Sequence, residues 1–178
     1  QSFNYSENQV ANAVVATVLA TDSDGGTVSS FRFENSGGTP GTTSADGFFS
    51  INASGQISIT SAGIAAGVAQ NDFETGSNSF TYAIQASSDG SNFGDAVDVT
   101  LNVTDIDDNT PVITAGQSFS YAEGQVADAV VATVSASDAD TNTGASPTAF
   151  RFENSGGTPG TTSADGFFSI NASGQISI

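Results

Sequence analysis

The chain has 178 residues, with 19 acidic side chains, only 2 basic ones, no histidine and a formal net charge of −17. A chain this acidic cannot neutralise phosphates, and no segment approaches 18 consecutive apolar residues, so we expect neither nucleic-acid binding nor membrane insertion. Because histidine and cysteine are both absent, the sequence excludes the usual zinc, copper and iron sites and leaves oxygen-ligated cations such as calcium.

A tandem repeat organises the whole chain. Residues 2–18 align with 118–134 at an offset of 116, and the segment 31–59 recurs unchanged as 150–178 at an offset of 119. The change of offset falls in a polar loop, which indicates duplicated modules of about 115 residues. The predicted organisation is a nearly complete first repeat at 1–104, a calcium-binding linker at 105–111, and a second repeat at 112–178 that lacks the last two strands.

Short strands with apolar residues at every second position follow one another along the first repeat. After a first strand that ends before Glu7, the predicted strands cover 14–18, 31–33, 49–51, 57–59, 79–87 and 96–104. Clusters of Gly, Ser, Asn and Asp separate them, and the one helix-like stretch, 62–70, is interpreted as a loop packed on the core. About seven strands in about 110 residues predict an all-β, seven-stranded antiparallel Greek-key β-sandwich.

The carboxylates gather at strand ends and in the linker. Eight of them are predicted to converge at the junction between the repeats: Glu7, Asp72, Glu74, Asp105, Asp107, Asp108, Asp138 and Asp140. At about 6 Å and an effective dielectric constant of about 20, each pair repels by roughly 3 kcal/mol, so the junction would flex without cations. Calcium accepts six to eight oxygens at variable geometry, whereas magnesium demands a tighter octahedron, which favours calcium.

With these residues the chain resembles the cadherin repeat, in particular the repeats of large bacterial surface adhesins of the RTX type. The resemblance rests on five motifs, which are the E-N pair at 7–8, the D-x-D at 22–24 and again at 138–140, FFSINASGQI at 48–57, NDFE at 71–74 and DIDDNTP at 105–111. It implies the same sandwich fold and about three calcium ions at each junction between repeats.

The resemblance also implies a set of ligands. The implied junction ligands are Glu7, Asp72, Glu74, Asp105, Ile106, Asp107, Asp108, Asn109, Asp138, Asp140 and Asn142. A second half-site, facing a preceding repeat, would consist of Asp22, Asp24 and Asp89. Two residues depart from the family pattern, because Asp107 replaces an asparagine and Phe73 replaces an arginine.

We therefore expect a calcium-binding extender or adhesion module, secreted and exposed on a bacterial cell surface, whose partners are calcium and neighbouring repeats of the same chain. The alternatives are a calcium-dependent carbohydrate-binding module and a homophilic cell–cell adhesion module, with glycans or like modules as partners. Catalysis is not expected, because neither histidine nor lysine is present to activate a serine nucleophile. Asp72 and Glu74 are interpreted as metal ligands rather than as an acid–base pair.

Overall fold

The structure is a computed structural model, and it describes residues 1–141 and 146–178. The chain divides into two compact units, Gln1–Ile106 (unit 1) and Asp107–Ile178 (unit 2). Within the described ranges both units consist of β-strands and turns, with a short 3₁₀ turn at Phe73–Thr75. No helix in these ranges is long and apolar enough to cross a bilayer. The predicted all-β class is confirmed.

Unit 1 is a two-sheet sandwich. Its strands are β1 (Ser2–Ser6), β2 (Val14–Thr17), β3 (Ser30–Phe33), β4 (Phe49–Ile51), β5 (Gln56–Ile59), β6 (Ser79–Ser87) and β7 (Val97–Thr104). One sheet has the order β1-β7-β6-β3 and the other the order β2-β5-β4. The chain therefore crosses between the sheets after β1, β2, β3 and β5, which is the connectivity of a Greek-key sandwich. The strands lie where the alternation of apolar residues predicted them.

One ladder departs from the antiparallel prediction. β1 pairs with β7 in parallel, from Ser2 opposite Thr100 to Ser6 opposite Thr104, whereas the other ladders of unit 1 are antiparallel. A parallel pair needs a long connection, and nearly the whole unit separates these two strands in the sequence. The pairing positions the residue that follows β1, because the N–H of Glu7 donates to the carbonyl of Thr104 at 3.1 Å.

The core of unit 1 lies between its two sheets. Its largest buried side chains are Tyr5, Phe31, Phe33, Phe49, Ile51, Ile57, Ile59, Ile84, Val99, Leu101 and Val103. The ring of Tyr82 packs edge-on against Phe33 and Phe49, with centroids 5.7 and 5.3 Å away. Val97 lies on the same face of β7 as the buried Val99, but it is 58% exposed.

Unit 2 is built from shorter strands. They are β8 (Val112–Ile113), β9 (Val130–Thr133), β10 (Ala136–Ser137), β11 (Ser169–Ile170) and β12 (Gln175–Ser177). The sheet β11-β12-β9 is the counterpart of β4-β5-β2 in unit 1, and β8 pairs with β10. Residues 118–122 and 149–152, which correspond to β1 and β3, form no strand, although Phe152 makes an isolated bridge to Gly160.

Candidate metal centre

Glu7 organises the acidic end of unit 1. It directly follows β1, and only 2% of its surface is exposed. Its Oε2 accepts the N–H of Phe73 at 2.7 Å, and its Oε1 accepts the N–H of Ile106 at 2.7 Å. Hydrogen bonds to a charged acceptor are stronger than neutral ones. One buried carboxylate therefore fixes both the 3₁₀ turn and the last residue of unit 1.

The segment that carries Asp72 and Glu74 is held by the loop after β1. The carbonyl of Asn71 accepts the N–H of Asn8 at 3.2 Å, and its side-chain Oδ1 accepts the N–H of Gln9 at 2.7 Å. The hydroxyl of Tyr5 donates to the carbonyl of Gln70 at 2.6 Å. Burial raises the pKa of Tyr5, so its hydroxyl keeps the proton that it donates. These contacts place the NDFE motif beside Glu7.

Three of the predicted ligands converge in this region. One carboxylate oxygen from each of Glu7, Asp72 and Glu74 lies within 4.8 Å of the corresponding oxygens of the other two. Two oxygens that bind one calcium ion at 2.3–2.6 Å can be at most about 5 Å apart, so this spacing allows one ion to contact all three. Without an ion, each pair at about 5 Å repels by about 3 kcal/mol at an effective dielectric constant of about 20. The donor set therefore fits a hard divalent cation.

Unit 2 carries a second group of predicted ligands. The N–H of Asn109 donates to Oδ2 of Asp140 at 3.0 Å, and the Nδ2 of Asn109 donates to Oδ1 of Asp140 at 2.9 Å. The N–H of Asp140 in turn donates to Oδ1 of Asp138 at 3.4 Å. Burial tends to raise the pKa of Asp140, but the hydrogen bonds from Asn109 and from the backbone of Asp108 outweigh it and lower the pKa. The linker is thus attached to the D-x-D motif of this unit.

The equivalent D-x-D motif of unit 1 adopts the same local turn. The N–H of Asp24 donates to Oδ1 of Asp22 at 3.0 Å. This bond and one with the side chain of Ser88 lower the pKa of Asp22. Asp24 is exposed, whereas its counterpart Asp140 is 5% exposed.

Asp89 forms hydrogen bonds with other residues of its own loop. Its Oδ1 accepts hydrogen bonds from the N–H groups of Ser91 and Asn92 and from the hydroxyl of Ser87, and its Oδ2 accepts the Nδ2 of Asn92. The two backbone bonds are the largest causes of the lowered pKa of Asp89. Within the part of the chain that the structure describes, Asp22, Asp24 and Asp89 do not form a three-carboxylate group like that around Glu7.

Each unit brings several of the predicted ligands together. Glu7, Asp72 and Glu74 lie together in unit 1, while Asn109, Asp138 and Asp140 lie together in unit 2. In the sequence Asp105, Ile106, Asp107 and Asp108 connect the two groups, and one oxygen of Asp105 is buried. Asn142 lies outside the described residues.

Sequence reasoning missed the groups that hold Glu7 in place. The backbone N–H groups of Phe73 and Ile106 are 66 and 99 residues away from Glu7 in the sequence. Every residue except proline has a backbone N–H group, so the residue type does not show which N–H groups bond to Glu7. The side chain of Asn71, adjacent to the acidic motif, is the one contact with a sequence signal, because asparagine often bonds to nearby backbone groups.

No protein-family model and no curated protein matches the chain. Solved structures do match it. Mouse protocadherin-24 EC1-3 is 25% identical, with a TM-score of 0.59, over 99% of this chain and 47% of its own length. Human protocadherin-24 EC1-2 is 22% identical, with a TM-score of 0.60, over 99% of this chain and 72% of its own length. The human desmocollin-1 ectodomain is 18% identical, with a TM-score of 0.66, over 99% of this chain and 31% of its own length.

These solved structures contain several cadherin extracellular domains each, and this chain is equivalent to a part of each structure. The chain spans 38% of Drosophila N-cadherin EC1-4 and half or less of most of the other structures that it resembles. At such identities the structural likeness establishes the fold alone. The chain therefore has a cadherin-like β-sandwich fold.

Proposed function

We propose that this chain is a calcium-binding extender or adhesion module of a repetitive cell-surface protein. The observation that carries the proposal is the convergence of the carboxylates of Glu7, Asp72 and Glu74, with Glu7 almost fully buried. A buried carboxylate is costly unless it is hydrogen-bonded and its charge is balanced. A divalent cation balances the charge of such a cluster, and the net charge of −17 attracts cations in general.

The proposed calcium ligands continue along the linker. In addition to the three carboxylates of unit 1, they are Asp105, Ile106, Asp107, Asp108, Asn109, Asp138, Asp140 and Asn142. Only Asp107 and Asp108 separate Ile106, which bonds to Glu7, from Asn109, which bonds to Asp140. Since each residue spans at most about 3.6 Å, the chain tethers these two anchor points within about 11 Å. Ions held by both groups would stiffen the junction between the repeats.

We also propose that the module works outside a bacterial cell. The solved structures that it resembles include domains described as extracellular, and the RTX-type resemblance supports a repetitive bacterial protein. Extracellular calcium modules have dissociation constants of about 10⁻⁴–10⁻³ M. Such a site would be empty in the cytosol and filled outside, so the rod would become rigid after export. Neighbouring repeats of the same chain are then the direct partners.

The test compares two glutamates at equivalent positions of the repeat, Glu7 and Glu123. Calorimetric titration of the chelator-treated chain is expected to show calcium binding, with much weaker binding of magnesium. At a calcium concentration 100 times the dissociation constant, the ions should stabilise unit 1 by about 2.7 kcal/mol. The Glu7→Gln chain should lose most of this calcium-dependent stabilisation, because Glu7 belongs to the cluster. Glu123→Gln should keep it, because Glu123 is exposed and lies outside that cluster.

A second measurement separates loss of binding from loss of folding. Hydrogen exchange of the calcium-free Glu7→Gln chain should still show protected amides in β6 and β7, which form the centre of their sheet. If the folded Glu7→Gln chain takes up calcium with the same stoichiometry and affinity as Glu123→Gln, the proposed site is wrong. Small-angle scattering that does not change between calcium and chelator would contradict the proposed stiffening.

A further inference from the structure

An asparagine side chain joins the acidic motif of unit 1 to the loop after β1. The Oδ1 of Asn71 accepts the N–H of Gln9 at 2.7 Å, and the Nδ2 of Asn71 donates to the carbonyl of Gln9 at 3.2 Å. The two bonds, which we call the Asn71 clamp, engage both backbone groups of a residue 62 positions earlier in the chain. A contact through two bonds fixes the orientation of the two segments as well as their distance.

The backbone of Asn71 is held as well as its side chain. Its N–H donates to the carbonyl of Val68 at 2.9 Å, and its carbonyl accepts the N–H of Asn8 at 3.2 Å. Because both the backbone and the side chain have partners, the position of the loop at 8–9 is passed on to the residue that follows Asn71. That residue is Asp72, one of the three converging carboxylates.

Both chain neighbours of Asp72 are attached to the same short segment, 7–9. Phe73, on one side, donates its N–H to Oε2 of Glu7 at 2.7 Å. Asn71, on the other side, is attached to Gln9 by the clamp. Asp72 is therefore held close to Glu7 by a bond before it and a bond after it in the chain.

The two attachments differ in how they relate to a bound cation. The bond from Phe73 uses an oxygen of Glu7, so a bound ion and this N–H share one carboxylate. The Asn71 clamp uses a neutral amide, which supplies its own acceptor and donor and engages no carboxylate oxygen. The clamp can therefore hold the acidic motif in the same way before and after a cation binds.

We propose that Asn71 is a positioning residue that sets the preference of the cluster for calcium over magnesium, an inference that rests on the proposed function. Calcium contacts all three carboxylates only while the oxygens of Asp72 and Glu74 stay within 4.8 Å of that of Glu7. Magnesium keeps several of its waters and is usually bound through one or two carboxylates. Calcium binding thus depends on the clamp more strongly than magnesium binding does.

The experiment titrates the chelator-treated chain with calcium and, separately, with magnesium in a calorimeter. Asn71→Ala should weaken calcium binding by about 10- to 100-fold, the usual effect of losing a residue that orients metal ligands. Its magnesium affinity should change by less than about twofold, because magnesium does not need all three carboxylates together. Asn71→Asp keeps an oxygen that can accept the N–H of Gln9, so it should restore the preference for calcium.

The matched control is Asn52→Ala in the turn between β4 and β5. The Oδ1 of Asn52 also accepts two backbone N–H groups, those of Ser54 and Gln56. The control variant therefore loses comparable hydrogen bonds in the same unit, but Asn52 does not contact the segment at 7–9 through them. Its calcium and magnesium affinities should both equal those of the unsubstituted chain.

A further readout needs no metal. In chelator, hydrogen exchange followed by NMR should show that the amide of Gln9 exchanges about fivefold faster in Asn71→Ala, because it has lost one hydrogen bond. Amides of β6 and β7 should keep their protection, which shows that the unit remains folded.

The outcomes separate this inference from the proposed function. An unsubstituted chain that binds no calcium would contradict both. If the unsubstituted chain binds calcium and Asn71→Ala binds it equally well, the inference alone is wrong. It is also wrong if Asn71→Ala loses calcium and magnesium affinity to the same extent, since a general loss of structure would have that effect.

Discussion

Residues 31–59 in unit 1 and 150–178 in unit 2 have the same sequence, and their turns have the same structure. Asn35 and Asn154 both adopt a positive φ, of 54° and 52°. Each of them donates from Nδ2 to two carbonyls further along the chain. These bonds span four and eight residues, so both asparagine side chains find their partners within the turn. These side-chain bonds therefore require no partner from the rest of the unit.

The strands at the border of this segment behave differently. Ser30–Phe33 form β3 in unit 1, whereas the equivalent residues in unit 2 form no strand. In unit 1 the partner of β3 is β6, which lies more than 50 residues further along the chain. The residues of the repeated segment thus determine the turn conformation locally. A strand at the edge of the sheet, in contrast, requires a partner strand that is distant in the sequence.

The strongest test of this comparison is Leu101→Ala in β7. Leu101 is fully buried, so the substitution should destabilise unit 1 by about 2–5 kcal/mol. The control is Val97→Ala in the same strand, which should cost less than about 1 kcal/mol because Val97 is 58% exposed. Urea denaturation monitored by residue-resolved hydrogen exchange measures both. Amides of β3 should lose protection before those of the turn at 52–55, and equal loss at both places would contradict the comparison.

A smaller effect is expected at the paired glycines Gly55 and Gly174. Both have positive φ values, of 76° and 74°, and a Cβ at either position would overlap the carbonyl oxygen of Val18 or Val134 respectively. Replacement by alanine should therefore destabilise each unit by about 1–3 kcal/mol. The two substitutions should have similar effects, because the same carbonyl contact is present in both units.

The matched controls for these glycines lie in the same repeat. Gly47→Ala and Gly166→Ala also introduce a side chain at a positive φ, but a Cβ at those positions meets no atom within 4 Å. They should cost about 1 kcal/mol, from backbone strain alone. Thermal unfolding of the four variants measures the loss of stability that each substitution causes. A neutral Gly174→Ala combined with a damaging Gly55→Ala would mean that the contact of this turn with the carbonyl of Val134 is not formed in unit 2.

The long strands were predictable, because apolar residues that alternate over eight or nine positions are typical of a strand and do not fit the 3.6-residue period of a helix. β6 and β7 accordingly lie at 79–87 and 97–104 as expected. The parallel direction of β1 was not predictable, since alternation fixes which face a residue occupies and not which strand lies beside it.

The candidate site was predictable to a different extent. The positions of Glu7, Asp72 and Glu74 at strand ends suggested convergence, and their carboxylate oxygens do converge. Their detailed geometry depends on backbone donors, the N–H groups of Phe73 and Ile106, which every residue except proline possesses. Residue identity therefore indicates which side chains can bind a cation, while the tertiary fold determines how each of them is held.

The smallest expected effect concerns a surface carboxylate of unit 2. The side chain of Ser163 and the backbone N–H of Phe167 donate hydrogen bonds to Asp165 and lower its pKa from the usual 3.8. A carboxylate whose pKa is lower in the folded state stabilises the fold above its unfolded pKa, and this contribution is lost as the pH falls through the folded pKa. Ser163→Ala removes the larger cause, so the pKa of Asp165 should rise towards 3.8.

Carbon-13 NMR of the carboxyl groups measures this pKa directly, and Ser155→Ala, at an exposed position away from the Asp165 turn, is the control. Because a smaller difference between the folded and unfolded pKa means less stabilisation, the turn of the Ser163→Ala chain should be less stable than that of the control between about pH 4 and pH 7. The bond from Ser163 closes within the repeated segment, as the equivalent bond from Ser44 to Asp46 does in unit 1. An unchanged titration of Asp165 in Ser163→Ala would show that this turn is not formed locally in unit 2, which would remove the basis for treating the two copies as equivalent.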